Sequence, residues 1–318
     1  MGERIAEEWR TFGCSAVLVR RFDPRVKASP GQLFIFARPR RPGTLNLKRG
    51  TMERESDLLI ESVREAGARA MELARTGFEV HTKKDRSPVT TADVEVERIL
   101  HAMQRKHFPD DGWLSEESPD DQTRLSRPRV WIVDPIDGTK AYVNRMPEFC
   151  ISAALVEQGR PVLAAVLNPS TGELFTATKG TGLRLNGAPL VSAPLHDSPP
   201  IIMVNPWELR SGRWAALDGE VHCRPMYSIA NALTMVAAGR VRAAITAEPE
   251  NEWDLAAAVL LIEESGGAIE DAAARRFLFN QPKPRFRGVV AVARGTDDSL
   301  HRLLRACVGR AAGRKSTR

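Results

Sequence analysis

The stretch Trp131-Ile132-Val133-Asp134-Pro135-Ile136-Asp137-Gly138-Thr139 constrains this chain more than any other. Three apolar residues predict a buried strand that delivers Asp134 to its end, and Pro135 fixes φ and turns the chain so that Asp137 points back. Two carboxylates that converge to about 4 Å repel by about 4 kcal/mol at an effective dielectric of about 20. A fold keeps such a pair only where protons or cations compensate. A hard divalent cation is the natural compensator, and oxygen-only ligands with no cysteine or histidine nearby favour magnesium over zinc. Gly138 lets the backbone come close to a ligand, while the Thr139 hydroxyl and the following amides can hold a phosphate oxygen or a water.

Two further acidic clusters are candidates to complete a site. Glu116-Glu117 follows the apolar pair Trp113-Leu114, and Glu252-Trp253-Asp254 opens an apolar helix carrying Leu255, Val259 and Ile262. Taken alone, Asp254 reads as a helix N-cap and the two glutamates as a solvated loop.

Around these motifs the periodicity changes along the chain. From Ser56, Leu59, Val63, Ala66, Ala70 and Leu73 recur at helical spacing until Gly77; a second helix follows Thr90-Thr91 and stops at Phe108-Pro109. Beyond Arg129 the period shortens to two, with strands around 149–155, 162–166 and 174–178 whose short connections imply antiparallel neighbours. The second half mixes strands (201–205, 241–246, 289–292) with helices (around 230–238, 254–264 and 296–308), without the strict alternation of a doubly wound sheet.

The formal charge of +6 raises the question of a nucleic-acid partner, but its distribution argues against one. Residues 1–50 hold eleven of the 46 Lys/Arg and four of the 40 Asp/Glu, so the remainder is near neutral. The four cysteines and six histidines are scattered, without the spacing of a zinc site or a disulfide framework. With no run of 18 apolar residues and no basic-then-apolar leader, a cytoplasmic location without a membrane partner is expected. Residues 1–51 read as a poorly ordered basic extension, 52–198 as a metal-binding subdomain, 199–310 as a C-terminal α/β subdomain, and 311–318 as a basic tail.

Four elements in order, Thr90-Thr91-Ala92-Asp93, Glu116-Glu117, Asp134-Pro135-Ile136-Asp137-Gly138-Thr139 and Trp253-Asp254, give the chain a resemblance to the inositol monophosphatase superfamily over roughly residues 56–295. The resemblance implies an α/β (α+β) fold, a five-layer αβαβα sandwich that is commonly a homodimer. It implies a lithium-sensitive, magnesium-dependent phosphoric monoester hydrolase with two or three Mg2+ ions per site. One metal would take Glu116, Asp134 and the Ile136 carbonyl; a second would take Asp134, Asp137 and Asp254; Asp93 would stand near a third. Water would attack phosphorus directly, without a phosphoenzyme, and Thr139 with Asp93 or Glu116 would orient it and take its proton. Asp137, Gly138, Thr139, Lys140 and Asp254 would face the small phosphorylated metabolite.

Within the superfamily, Gly138-Thr139-Lys140, the Arg145-Met146-Pro147-Glu148-Phe149 ending and Ser87-Pro88-Val89-Thr90 are most similar to the 3'(2'),5'-bisphosphate nucleotidase branch, which would make 3'-phosphoadenosine 5'-phosphate the substrate. Inositol 1-phosphate and histidinol phosphate are the alternatives. Ser228 stands where the family usually has glycine, Ala232 where a Lys or Asp is frequent, and Ala247 where inositol enzymes place a glutamate, with Glu248 one step off. A non-enzymatic reading, binding to RNA or the transcription machinery, would draw on the basic ends.

Overall fold

The computed structural model describes residues 42–83, 87–191, 195 and 198–313. The chain divides into two units, Met1–Gly43 and Thr44–Arg318, and the second carries the elements below apart from the first two residues of helix α1. Residues 1–41 of the expected extension and 314–318 of the tail lie outside the described residues.

Helix α1 (Pro42–Thr76) begins upstream of Ser56, inside the segment assigned to the extension. That run mixes good helix formers such as Leu, Lys, Arg, Met and Glu with Gly43, Asn46 and Gly50, and carries no long apolar stripe for a periodicity reading to catch. The stripe that was legible, Leu59, Val63, Ala66 and Ala70, is the buried face. Helix α2 (Thr91–His107) is capped as expected: Thr90 accepts from the backbone of Ala92 and Asp93, and its own backbone N–H donates to Asp93 Oδ2 at 2.7 Å.

Strands β1 (Val80–Thr82) and β2 (Pro88–Thr90) form a small hairpin. A seven-stranded sheet then runs in the order β3 (Gly112–Ser115), β4 (Arg129–Asp137), β5 (Cys150–Glu157), β6 (Arg160–Asn168), β7 (Glu173–Thr178), β8 (Leu183–Leu185), β9 (Ala188–Pro189). Only β3–β4 is parallel; the rest are antiparallel, as short connections require. Helix α3 (Thr139–Val143) directly follows β4.

A five-stranded sheet runs β11 (His222–Pro225), β10 (Ile201–Val204), β12 (Ala243–Asn251), β14 (Arg285–Val292), β13 (Ala268–Asp271), with parallel pairs on both sides of β10. Helices α4 (Pro206–Arg210), α5 (Ile229–Ala237), α6 (Glu252–Ser265) and α7 (Asp298–Gly313) complete the chain.

Three apolar clusters bind these elements into layers. Helices α1 and α2 pack on one face of the large sheet through Trp131, Val133, Ile151 and Leu163. Its other face, through Val130, Ile132, Ala154 and Val166, meets α5 and α6, which also cover Ala244, Val289 and Ala291 of the small sheet. Helix α7 closes the far side of that sheet with Leu304, Cys307 and Val308 against Ile245 and Val290. The order is therefore α, β, α, β, α, the layered sandwich expected from the sequence. Helix α6 is apolar nearly all round, Leu255 to Ile262 being buried in one unbroken run, because it lies between two sheets. Among the described residues Cys150, Cys223 and Cys307 are free thiols, and no helix is long and apolar enough to cross a membrane.

Candidate active site

The site forms where the end of β4 meets the N-termini of α2, α3, α5 and α6. Strand β4 does not stop at Asp134: it continues to Asp137 through a bulge, with Asp134 opposite Ser152 and Asp137 opposite Cys150. In a regular strand, side chains three residues apart point to opposite faces. The irregularity at Pro135 and Ile136 removes that alternation and turns both carboxylates inward. Asp254, three residues after the N-cap Asn251, brings a third. Ligand oxygens of Asp134, Asp137 and Asp254 lie within 4.8 Å of one another, and all three residues are buried.

Each of the three is held differently. Asp137 Oδ2 accepts from Ser228 Oγ and from the Ala230 backbone N–H, both at 2.6 Å. Asp254 Oδ2 accepts from the Asn251 backbone N–H at 2.6 Å, so the capping role expected of this residue taken alone and its place in the cluster hold together. Asp134 has nothing: both its oxygens are buried without a hydrogen-bond partner. Burial, and then the charges of Glu116, Asp137 and Asp254, raise its carboxyl well above the ordinary range. Burial likewise raises Asp254 well above its usual value, with Asp137 and Glu116 adding to it. For Asp137, burial outweighs the donated hydrogen bonds and pushes the group up to about 6. Such a set is costly with nothing bound and suited to a hard cation, whose charge would satisfy the orphaned oxygens of Asp134.

The other residues singled out in the sequence surround this triad. Asp93 is buried; its Oδ2 is bound by Thr90 and its Oδ1 accepts from Thr139 Oγ1 at 3.2 Å. Thr139 Oγ1 also lies 3.1 Å from the Ile136 carbonyl. Glu116 stands outside the close triad but near enough for its charge to act on Asp134, Asp137, Asp254 and Asp93. Its Oε1 pairs with Lys83 Nζ at 2.7 Å, and the same ammonium takes Glu117 Oε1 at 2.7 Å. Burial works against the Lys83 charge, yet Glu116 and Glu117 together raise its affinity for the proton. Gly138 has φ +91, and a Cβ there would stand 2.9 Å from the Glu148 carbonyl and 3.0 Å from Ser228 Cβ, so the position needs glycine. Lys140 lies exposed in the first turn of α3.

Two participants were not legible as such, Lys83 and Ser228 as a donor to Asp137, and one further carboxyl, Glu250, feels the charge of the triad. Glu250, on β12 beyond the irregularity between Thr246 and Pro249, is half-buried. Burial, followed by the charges of Asp254, Asp137 and Glu208, pushes its carboxyl well above the ordinary range. The acidic alternation Glu248, Glu250, Glu252 ahead of Trp253-Asp254 was the available signal. At position 247, where inositol enzymes place a glutamate, the Ala247 backbone N–H donates to Oε1 of the fully buried Glu208 at 2.8 Å.

A sequence model of the inositol monophosphatase family matches residues 52–308. A histidinol-phosphatase of Chlorobaculum parvum is 30% identical over 249 residues, spanning 72% of this chain and 90% of its own length. An inositol-1-monophosphatase of Rhizobium meliloti is 37% identical over 204 residues, 61% of this chain and 76% of that protein. Among solved structures, the Thermotoga maritima IMPase superposes with a TM-score of 0.70 at 26% identity, covering 80% of this chain and 98% of that one. The carboxylate cluster at the bulged end of β4, the layered fold and these likenesses agree: the chain belongs to the inositol monophosphatase family of magnesium-dependent phosphatases.

Proposed function

We propose that this phosphatase hydrolyses the phosphate monoester of a small organic alcohol by direct attack of water, and that the reaction takes place at Asp134, Asp137, Asp254 and Glu116. The observation that carries the assignment is Asp134, whose two buried oxygens have no partner among three like charges. Those four carboxylates with the Ile136 carbonyl would hold magnesium, two ions of which would balance their charge, supply Lewis acidity toward the phosphate and make a water more acidic. Asp93, Thr139 and the Ile136 carbonyl form a connected polar array beside the triad. In this array the Thr139 hydroxyl fixes the attacking water, and Asp93, whose affinity for a proton burial raises, accepts the proton. The N-termini of α5 and α6 meet the end of β4 here, through the Ala230 N–H on Asp137 and through Asp254, and their positive dipole ends favour bound negative charge.

For the substrate, the bisphosphate nucleotidase reading rests on the Arg145–Phe149 ending, on Ser87-Pro88-Val89-Thr90 and on Lys140 beside Gly138-Thr139, of which the structure leaves Lys140 exposed. The likeness to a histidinol-phosphatase and to an inositol-1-monophosphatase weighs toward a substrate with a single phosphate. A homodimer and a cytoplasmic location remain part of the proposed reading, and the RNA-binding alternative rests on basic ends that lie largely outside the described residues. Phosphate release from 3'-phosphoadenosine 5'-phosphate, inositol 1-phosphate and histidinol phosphate, measured side by side with magnesium, tests this. A monophosphate with the highest kcat/KM supports the reading; preference for the bisphosphate would restore the nucleotidase assignment.

A further inference from the structure

We infer that Lys83 competes with magnesium for Glu116: its ammonium bridges Glu116 and Glu117, gives up Glu116 when metal binds there, and stays with Glu117. The inference rests on the reading of Glu116 as a magnesium ligand given above and adds what controls that half of the site.

Lys83 is placed by the small hairpin. Its backbone N–H donates to the Ser87 carbonyl at 2.8 Å, directly beyond the pairing of β1 with β2. The last residue of β2, Thr90, caps α2 and binds Asp93, so the hairpin that carries Lys83 is fastened to the site. From there the side chain reaches the residues after β3, where Nζ meets Glu116 Oε1 and Glu117 Oε1, each at 2.7 Å. A single ammonium thus serves two adjacent carboxylates through charge-assisted hydrogen bonds.

The two glutamates are not equivalent. The Glu117 side chain is 8% exposed against 27% for Glu116, and the residue after it is anchored: Ser118 Oγ donates to Glu97 Oε1 on α2 and accepts from Trp113 Nε1 at 3.1 Å. Glu116 is the one whose charge acts on Asp134, Asp137 and Asp254, yet it stands outside the group of oxygens that those three bring within 4.8 Å of one another. Magnesium binds a carboxylate oxygen at about 2.1 Å, so an ion on Glu116 would stand roughly 5–7 Å from an ammonium kept on the same carboxylate. Like charges at that range repel, and a partly buried setting screens them poorly. Glu117 lets the ammonium withdraw without losing its partner. The exchange sets the magnesium concentration at which the Glu116 half of the site fills.

The test is calorimetric magnesium titration of the full-length protein and three variants, with thermal melting of each in chelator. Lys83→Met should melt lower in chelator, because Glu116 and Glu117 then face each other without a counter-charge. It should nevertheless bind magnesium roughly three- to tenfold more tightly, the range for a charged pair that is partly exposed. A merely structural lysine would lower both. Glu117→Gln leaves the ammonium wholly on Glu116 and should weaken magnesium binding by a similar factor; with Lys83→Met already present, the same change should matter by less than about twofold. Unchanged or weaker magnesium binding in Lys83→Met overturns the inference, since Lys83 would then be an anchor that helps Glu116 to bind metal. Should that variant not fold, Glu117→Gln decides alone, and unchanged or tighter binding overturns the inference. Undiminished magnesium binding in Glu116→Gln overturns the ligand reading itself, and this inference with it.

Discussion

Ser228 donates its hydroxyl to Asp137 Oδ2 at 2.6 Å while its oxygen caps α5 by accepting from the Asn231 backbone N–H at 3.0 Å. One side chain thus ties the end of β4 in the large sheet to the start of a helix that covers the small one. Removing it should cost in two ways. Ser228→Ala loses the cap, about 1 kcal/mol of stability, and frees Asp137 to turn. We expect a lower melting temperature and roughly a tenfold higher magnesium requirement for turnover, with Ser228→Thr recovering most of both.

The metal-free protein keeps Asp134, Asp137 and Asp254 together against their mutual repulsion. Asp134→Asn should therefore do two opposite things. It should abolish turnover by a factor of about a hundred or more, and it should raise the melting temperature in chelator, because the new amide can donate to Asp137 or Asp254 where a carboxylate could only repel. Melting and phosphate release on the same preparation check this; a destabilised but active variant would contradict it.

The pH dependence follows from the direction of these shifts. Burial raises the carboxyls of Asp134 and Asp254 well above their ordinary range and Asp137 to about 6, so the folded state binds protons more tightly than the unfolded one. Their contribution to metal-free stability is fully present below the ordinary carboxylate value, about 4, and is lost as pH rises through the folded values. Bound magnesium replaces the protons, so its stabilising effect should be near zero at pH 5 and grow toward pH 8. Melting curves with chelator and with magnesium across that interval should diverge upward.

Gly138 turns the chain between Asp137 and Thr139 with φ +91, and an added Cβ would meet the Glu148 carbonyl at 2.9 Å. Gly138→Ala should cost about 1–2 kcal/mol from the backbone alone, with more from the clash, and should displace Thr139 from Asp93. Lower melting temperature together with a fall in kcat is the expected outcome, read from melting and initial rates at saturating magnesium.

Local pattern made much of this molecule legible. The stripe Leu59, Val63, Ala66 and Ala70 marked the buried face of α1, and the alternation in 149–155 and 162–166 marked β5 and β6. The acidic motifs taken alone read as a helix cap and a solvated loop; it is the resemblance to the inositol monophosphatase superfamily that joins them into one site. The bulge that makes Asp134 and Asp137 face the same way was not readable: it depends on pairing with β5. Nor were Ser228 and Lys83, which reach Asp137 and Glu116 from segments whose meeting only the tertiary fold decides.

Magnesium binding to the intact and Asp134→Asn proteins, measured by calorimetric titration alongside phosphate release from a monoester, tests the metal site itself. The expected result is magnesium binding and magnesium-dependent release in the intact protein, both lost in a folded Asp134→Asn variant. Undiminished phosphate release in chelator, or equal magnesium binding by the two proteins, would contradict it.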